Sequence, residues 1–251
     1  MSGHSKWSTI KHAKAVTDAR RGKLFTKLTR EIIIAARQGG GDASMNIRLR
    51  MAVQKARDAN MPNDNVDRAI KRGTGESGEQ DQMVEFTYEG YGPGGVAIML
   101  QTLTDNRNRT VSDIRSTLTK AGGNLAQSGA VAWQFEPKGI VVVNAEPDDA
   151  EEFALVAIDA GADDFETFDS TLQIYSPVEN LEDIRRTLTE TEAAVVSSEL
   201  SMIPNSTITL DARAANQTLR LLDQLEELDD VQKVYSNADF PDEVLDQYRD
   251  E

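Results

Sequence analysis

The sequence predicts a multidomain α+β protein: an N-terminal three-helix domain followed by two α+β domains, one ferredoxin-like and inserted into the other. Three observations carry this. The hydrophobic period changes from helical spacing to alternation after about residue 82. Residues 140–202 read strand, helix, strand, strand, helix, strand, the order of a ferredoxin-like unit. The apolar segments on either side of that stretch complete one unit only if taken together. Charge divides the chain at nearly the same place: residues 1–73 carry 16 Lys or Arg against 6 Asp or Glu, and residues 74–251 carry 11 against 36. The overall charge of −15 therefore hides a basic domain of +10.

Over residues 23–37 Leu24, Phe25, Leu28, Ile32, Ala35 and Ala36 share one helical face, and Lys23, Lys27, Arg30 and Arg37 gather opposite. Gly39, Gly40 and Gly41 stop that helix, because three glycines in succession lose too much backbone entropy to continue it. A second helix is expected over 44–60, burying Leu49, Ala52, Val53 and Ala56 and exposing Arg48, Arg50, Lys55 and Arg57, with Pro62 breaking it. Asn63 reads as the cap of a third helix closed by Gly73. Residues 74–82 have the composition of a linker. Beyond them come a hairpin (84–88 with 96–103), a helix (110–121), strands at 131–135 and 140–143, and the inserted unit. A strand at 207–210, a Leu-rich helix and a strand at 231–235 follow. The expected domains are 1–78, a discontinuous 79–137 plus 205–239, the inserted 138–204, and a mobile acidic tail at 240–251.

The chain has no cysteine, which excludes disulfides and thiolate chemistry. No stretch approaches the ~20 apolar residues of a membrane span, and the N-terminus lacks the apolar segment of a secretory signal, so a cytoplasmic location is the expectation. Residues 90–95 match GxGxxG, but a strand-like segment follows where a dinucleotide site needs a helix, which favours a structural hairpin. His4 and His12 are eight residues apart in a basic arm, poorly placed for a metal or for acid–base work. The carboxylates at Asp148, Asp149, Glu151 and Glu152, or at Asp229 and Asp230, sit at expected helix ends, where solvation or the helix dipole explains them. No catalytic residue, metal, cofactor or small-molecule substrate is expected.

The basic constellation is the candidate site. Lys6, Lys11, Lys14, Arg20, Arg21 and Lys23 form a track interleaved with Trp7 and His12, which can stack on bases; it runs into the Lys27, Arg30 and Arg37 face, with Arg48 and Arg50 nearby. Phosphate is the natural ligand of such a surface. The alternatives are a merely solvated face, or a basic domain that neutralises the acidic one in the same molecule, and Trp7 fits packing as readily as stacking. Arg107 and Arg109, just before a helix, make a possible second anion site, unless neighbouring carboxylates pair with them.

Seven strings occur in order: GHSKW at 3–7, RGKLFTK at 21–27, GGGD at 39–42, ANMPN at 59–63, YEGYGPGG at 88–95, DNRNRT at 105–110 and YSNAD at 235–239. Together they closely resemble the YebC/PmpR family, from residue 3 to about 239. The resemblance implies three domains and a cytoplasmic DNA-binding transcriptional regulator. It also implies relatives that act on the ribosome, including a mitochondrial translational activator. The expected partner is thus double-stranded DNA, with ribosomal RNA on the ribosome as the alternative, and no membrane.

Overall fold

The computed structural model describes residue 7, residues 18–76, residue 78, residues 83–168 and residues 170–250, with the backbone alone at 18–21 and 250. Helix α1 (Asp18–Gly39) starts earlier than its apolar stripe, since residues 18–22 carry no periodic signal. It buries Leu28 and every residue from 32 to 36, because it is covered on two sides. Gly40 at φ +86° turns the chain away. Helix α2 (Ile47–Asp58) begins at an Asn46 cap and not at Ser44, which closes a turn on Asp42. Asn46 Oδ1 accepts from Leu49 N at 3.0 Å, and its Nδ2 donates to the carbonyls of Ala35 and Gly40, both at 2.8 Å. One buried amide thus caps α2 and the end of α1 together.

Helix α3 (Asn63–Thr74) places Asn63 inside the helix after a Pro62 cap, and the left-handed residue that ends it is Gly75. Gly73 has another task. A Cβ there would lie 2.5 Å from the Ile33 carbonyl oxygen and 2.7 Å from Ala36 Cβ, so its absence sets how closely α1 and α3 cross. Gly73→Ala is expected to destabilise the chain by about 1–3 kcal/mol, seen as a lower urea midpoint, because backbone and not a movable side chain blocks the methyl.

The hairpin β1 (Val84–Tyr91) and β2 (Ala97–Thr104) pairs from Val84↔Thr104 to Tyr91↔Ala97. Around GxGxxG the backbone makes a tight turn into β2, as expected for a hairpin. β2 also pairs with β9 (Val231–Ser236), and β1 with β3 (Asn124–Leu125), giving the order β3-β1-β2-β9. Helices α4 (Arg107–Lys120) and α7 (Ala212–Glu226) pack side by side on one face of this sheet, with Ile98, Leu100, Ile114, Leu118, Leu219 and Leu222 between. At one end of the opposite face Met83 and Leu103 enter the core of the helical domain, and at the other Ala97, Met99 and Tyr235 pack with Val131 and Phe135.

Inserted between these elements are β4 (Phe135–Asn144), α5 (Pro147–Asp159), β5 (Asp164–Phe168), β6 (Thr171–Ser176), α6 (Leu181–Glu190) and β7 (Ala194–Pro204). The sheet order β5-β6-β4-β7, wholly antiparallel, is the ferredoxin-like arrangement. Two expectations change here. Residues 132–134 form a single turn of helix, and β4 runs unbroken through Pro137. Proline is tolerated because β6 pairs with β4 only from Gly139 onward, leaving one side of Pro137 without a strand to bond.

The 207–210 segment contributes β8 (Ile208–Thr209), which pairs in parallel with β10 (Ala238–Asp239) in a separate ribbon and not with the main sheet. The expected mobile tail is also corrected. It forms α8 (Asp242–Asp250), with Phe240, Val244 and Leu245 buried against the α7 core and Tyr248 Oη donating to Asp223 at 2.7 Å.

Candidate nucleic-acid interface

The four cations on the polar face of α1 all bond groups outside the helical domain's own helices, Lys27 and Arg30 half-buried and Lys23 and Arg37 exposed. Helix α7 has no basic residue in its own last turn, so its terminal carbonyls and the negative end of its dipole need partners from elsewhere. Lys27 Nζ donates to the Glu226 carbonyl at 2.6 Å and Lys23 Nζ to that of Glu227 at 3.3 Å. Arg30 bonds the carbonyls of Asp229 and Leu103 and pairs with Asp230 Oδ1 at 2.9 Å. Arg37 donates to the Met83 carbonyl. The basic face of α1 is a docking surface between the helical domain and the acidic one, the within-molecule alternative that charge alone left open.

Asp230 is the centre of that contact. Far from being a solvated helix-end carboxylate, it is buried and accepts from Arg109 (2.8 Å), Thr110 Oγ1 (2.8 Å) and Thr104 Oγ1 (3.3 Å) besides Arg30. Burial opposes its ionisation, but bonds from Arg109 and Thr110 and the charges of Arg109 and Arg30 outweigh it, holding the carboxyl below its usual value. Arg109 also bonds Asp105 at 2.8 Å, so the expected anion pocket is filled by the chain's own carboxylates. Arg107 instead lays its guanidinium 3.3 Å from the centre of the Phe86 ring.

The remaining residues of the expected track divide. Trp7 is 2% exposed and packs in the α7/α8 core, its ring 6.5 Å from that of Phe240, so it is an anchor and not a stacking platform. Lys6, Lys11, His12 and Lys14 lie outside the described residues, and Arg20 and Arg21 are described only as backbone of α1. Arg48 binds Glu85 across the interface, at 3.0 Å through one nitrogen, and Gln38 at 2.6 Å. That pairing lowers the Glu85 carboxyl below its usual value and raises the Arg48 guanidinium. Lys55 reaches Glu199 of β7 at 3.6 Å, and Lys233 meets the same carboxylate at 2.8 Å. All three domains therefore meet around Glu199.

What stays outward on the helical domain is the stripe Arg50, Gln54, Arg57 along α2, with Lys71 on α3. Arg50 was expected in the site; Arg57 was expected on the same exposed face but not named as a binding residue, and Lys71 was not singled out. Their spacing of seven, 50 to 57, is a helical-face signal that the longer run of cations on α1 overshadowed.

Sequence reasoning also missed Glu89, inside the YEGYGPGG string. It is 4% exposed and accepts from the backbone N–H groups of Gly129 (2.6 Å), Val131 (2.7 Å) and Ala132 (2.9 Å). Burial alone would raise its pKa, but the three donors together bring it below the usual carboxylate value. It holds the 129–132 loop over the sheet. Among the described residues no group of His, Asp or Glu is arranged to hold a metal, and no helix is long and apolar enough to cross a membrane.

Comparison with known proteins is consistent along the chain. Residues 5–76 match the family model described as the TACO1/YebC protein N-terminal domain, and residues 83–238 that of the TACO1/YebC second and third domain. A protein of Dehalococcoides mccartyi named "probable transcriptional regulatory protein" is 54% identical over 99% of this chain and 98% of its own length. One of Halothermothrix orenii with the same name is 50% identical, with all of both chains covered. The crystal structure of the conserved hypothetical protein Aq1575 from Aquifex aeolicus superposes with a TM-score of 0.83 at 45% identity, covering 91% of this chain and 94% of that one. Two family models that together span nearly the whole chain, and full-length relatives at about half identity, lead to one conclusion: the chain belongs to the TACO1/YebC family.

Proposed function

We propose that this protein is a non-enzymatic, nucleic-acid-binding regulator, with double-stranded DNA as its leading ligand. The regulatory part rests on the names its relatives carry. The nucleic-acid part rests on one observation above others. With the α1 cations engaged internally, the helical domain still presents Arg50, Arg57 and Lys71 outward without a carboxylate partner, within a segment of net charge +10. Contacts from such residues to the phosphate backbone position a protein without specifying sequence, so weak sequence preference is expected.

The same reliance on phosphate contacts suits a second reading, a factor that grips structured ribosomal RNA. The experiment is a sucrose-gradient separation of cell lysate, with and without DNase, for the wild type and for the Arg50→Glu, Arg57→Glu, Lys71→Glu triple variant. DNase-sensitive association lost in the variant supports the DNA regulator. Co-migration with ribosomes that survives DNase and is lost in the variant moves the assignment to RNA. Association unchanged in the variant rejects this surface. Reversals at Lys23, Lys27 or Arg30 would not serve, because they would undock the domains.

A further inference from the structure

The acidic body of the molecule carries its unpaired cations in one place. Beyond residue 74, Arg109, Lys138, Arg185, Arg186 and Lys233 each sit in an ion pair. Arg249 on α8 also has an interaction within the chain. Arg107, Arg115, Lys120, Arg213 and Arg220 have no carboxylate partner among the described residues, are all exposed, and all lie on α4 or α7. With 36 Asp and Glu in this part of the chain, the concentration of free positive charge on two neighbouring helices is a surface property and not a consequence of composition.

Their neighbours point to the same ligand. On α7 the outward stripe is Arg213, Gln217, Arg220 and Gln224, one face at three- and four-residue spacing. The acids on or capping α7 lie elsewhere: Asp211 caps the helix at the Ala214 N–H, Asp223 is turned to Tyr248, and Glu226 is the last residue, at the end that Lys27 meets. On α4 a shallow open depression is lined by Ser112, Arg115, Ser116, Thr119 and Lys120, with Asp113 the one acid within the helix. Arginine, lysine and small hydroxyl and amide side chains are the groups that contact phosphate and sugar. An acidic protein partner would be met by the cations but has less use for the hydroxyl and amide rows.

We propose that the outer face of the α4–α7 layer is a second contact for a nucleic-acid phosphate backbone, separate from the α2 surface of the helical domain. It rests on the reading of the protein as a nucleic-acid binder. The two faces belong to different domains and each would hold phosphate on its own, while the acidic remainder of the surface repels it elsewhere.

The test is the full-length Arg115→Glu, Lys120→Glu, Arg213→Glu, Arg220→Glu variant, measured beside the wild type and the α2–α3 triple variant. Binding to a labelled 20-base-pair DNA and to a ribosomal RNA hairpin is titrated over a series of KCl concentrations. All four positions are exposed, so the thermal midpoint should match the wild type. The expected result is at least tenfold weaker binding at low salt, with the slope of log K against log salt reduced by about 3 to 4 on DNA. The duplex that shows the larger loss identifies the source of the backbone. An unchanged slope, with the triple variant impaired, overturns this surface and leaves the α2 reading standing. A reduced slope here with an intact triple variant does the reverse. No binding of either nucleic acid by the wild type, or equally tight binding of polyglutamate, rejects the proposal.

Discussion

Asp230→Ala is expected to lower the stability of the chain by about 2–4 kcal/mol, as much as a core truncation, although Arg109 is largely exposed and solvent screens part of its loss. The substitution removes the acceptor shared by Arg30 and Arg109 and by Thr110 and Thr104, leaving the half-buried Arg30 guanidinium without its counter-charge and Arg109 with Asp105 alone. Because Arg30 belongs to the helical domain and Arg109 to the sheet domain, the loss is also one of domain docking. A urea titration should show an earlier first phase, and small-angle scattering should show a larger radius before global unfolding. If the scattering curve is unchanged and the midpoint shifts by less than about 1 kcal/mol, Asp230 is not the latch described here. The pH dependence has a definite sign. The folded-state pKa of Asp230 is depressed, so its contribution is present above the unfolded-state value and lost as pH falls through the lower folded value. Undocking should therefore appear on acidification and not on alkalinisation.

Glu89→Ala is expected to cost about 2–4 kcal/mol, because three backbone N–H groups lose a charged acceptor and the buried Val131 N–H cannot turn to water. Glu89→Gln separates charge from shape. The amide oxygen can still accept, but the second position presents an NH₂ donor to N–H groups, so this variant should recover only part of the loss. Hydrogen exchange at 129–132 is the direct measurement: protection should fall sharply in the Ala variant and partly in the Gln variant. Equal protection in all three proteins would show that the loop is held by Val131 and Phe135 packing alone. The acid limb should shift as for Asp230, since the Glu89 carboxyl is also held below its unfolded value.

The elements were legible in the sequence where a periodic apolar pattern met a clear stop. Gly39–Gly41, Pro62 and the alternation at 84–88 each marked a real boundary, and the βαββαβ order of the inserted unit is the order found. What could not be read was which polar side chains turn inward. The amphipathic period of α1 separates its apolar residues from its cations correctly, but a helix covered on two sides presents a cationic face to protein as readily as to solvent. The acceptors are the end of α7 and Asp230, about two hundred residues further along the chain. No local pattern encodes that proximity. Trp7 stayed open between packing and stacking for the same reason: a basic arm surrounds it in sequence, and its packing partner Phe240 lies at the far end of the chain. The two-residue strands β3 and β8 were missed or misassigned because a pair of residues carries no period at all.

The insertion of one α+β unit into another also sets an order of events during synthesis. The edge of β2 that receives β9, and the apolar face of Ile98 and Leu100 that receives α7, are made long before their partners. Everything from β4 to β7 is translated in between, and its ferredoxin-like pairing is complete within itself. The sheet domain can close only when residues 212–236 have emerged, and only then do the α7 terminus and Asp230 exist for α1 to dock against. The helical domain is thus made well before the surface that fastens it. A nascent chain arrested before residue 230 would carry its lysines and arginines uncovered, and its early contacts with polyanions would differ from those of the finished protein.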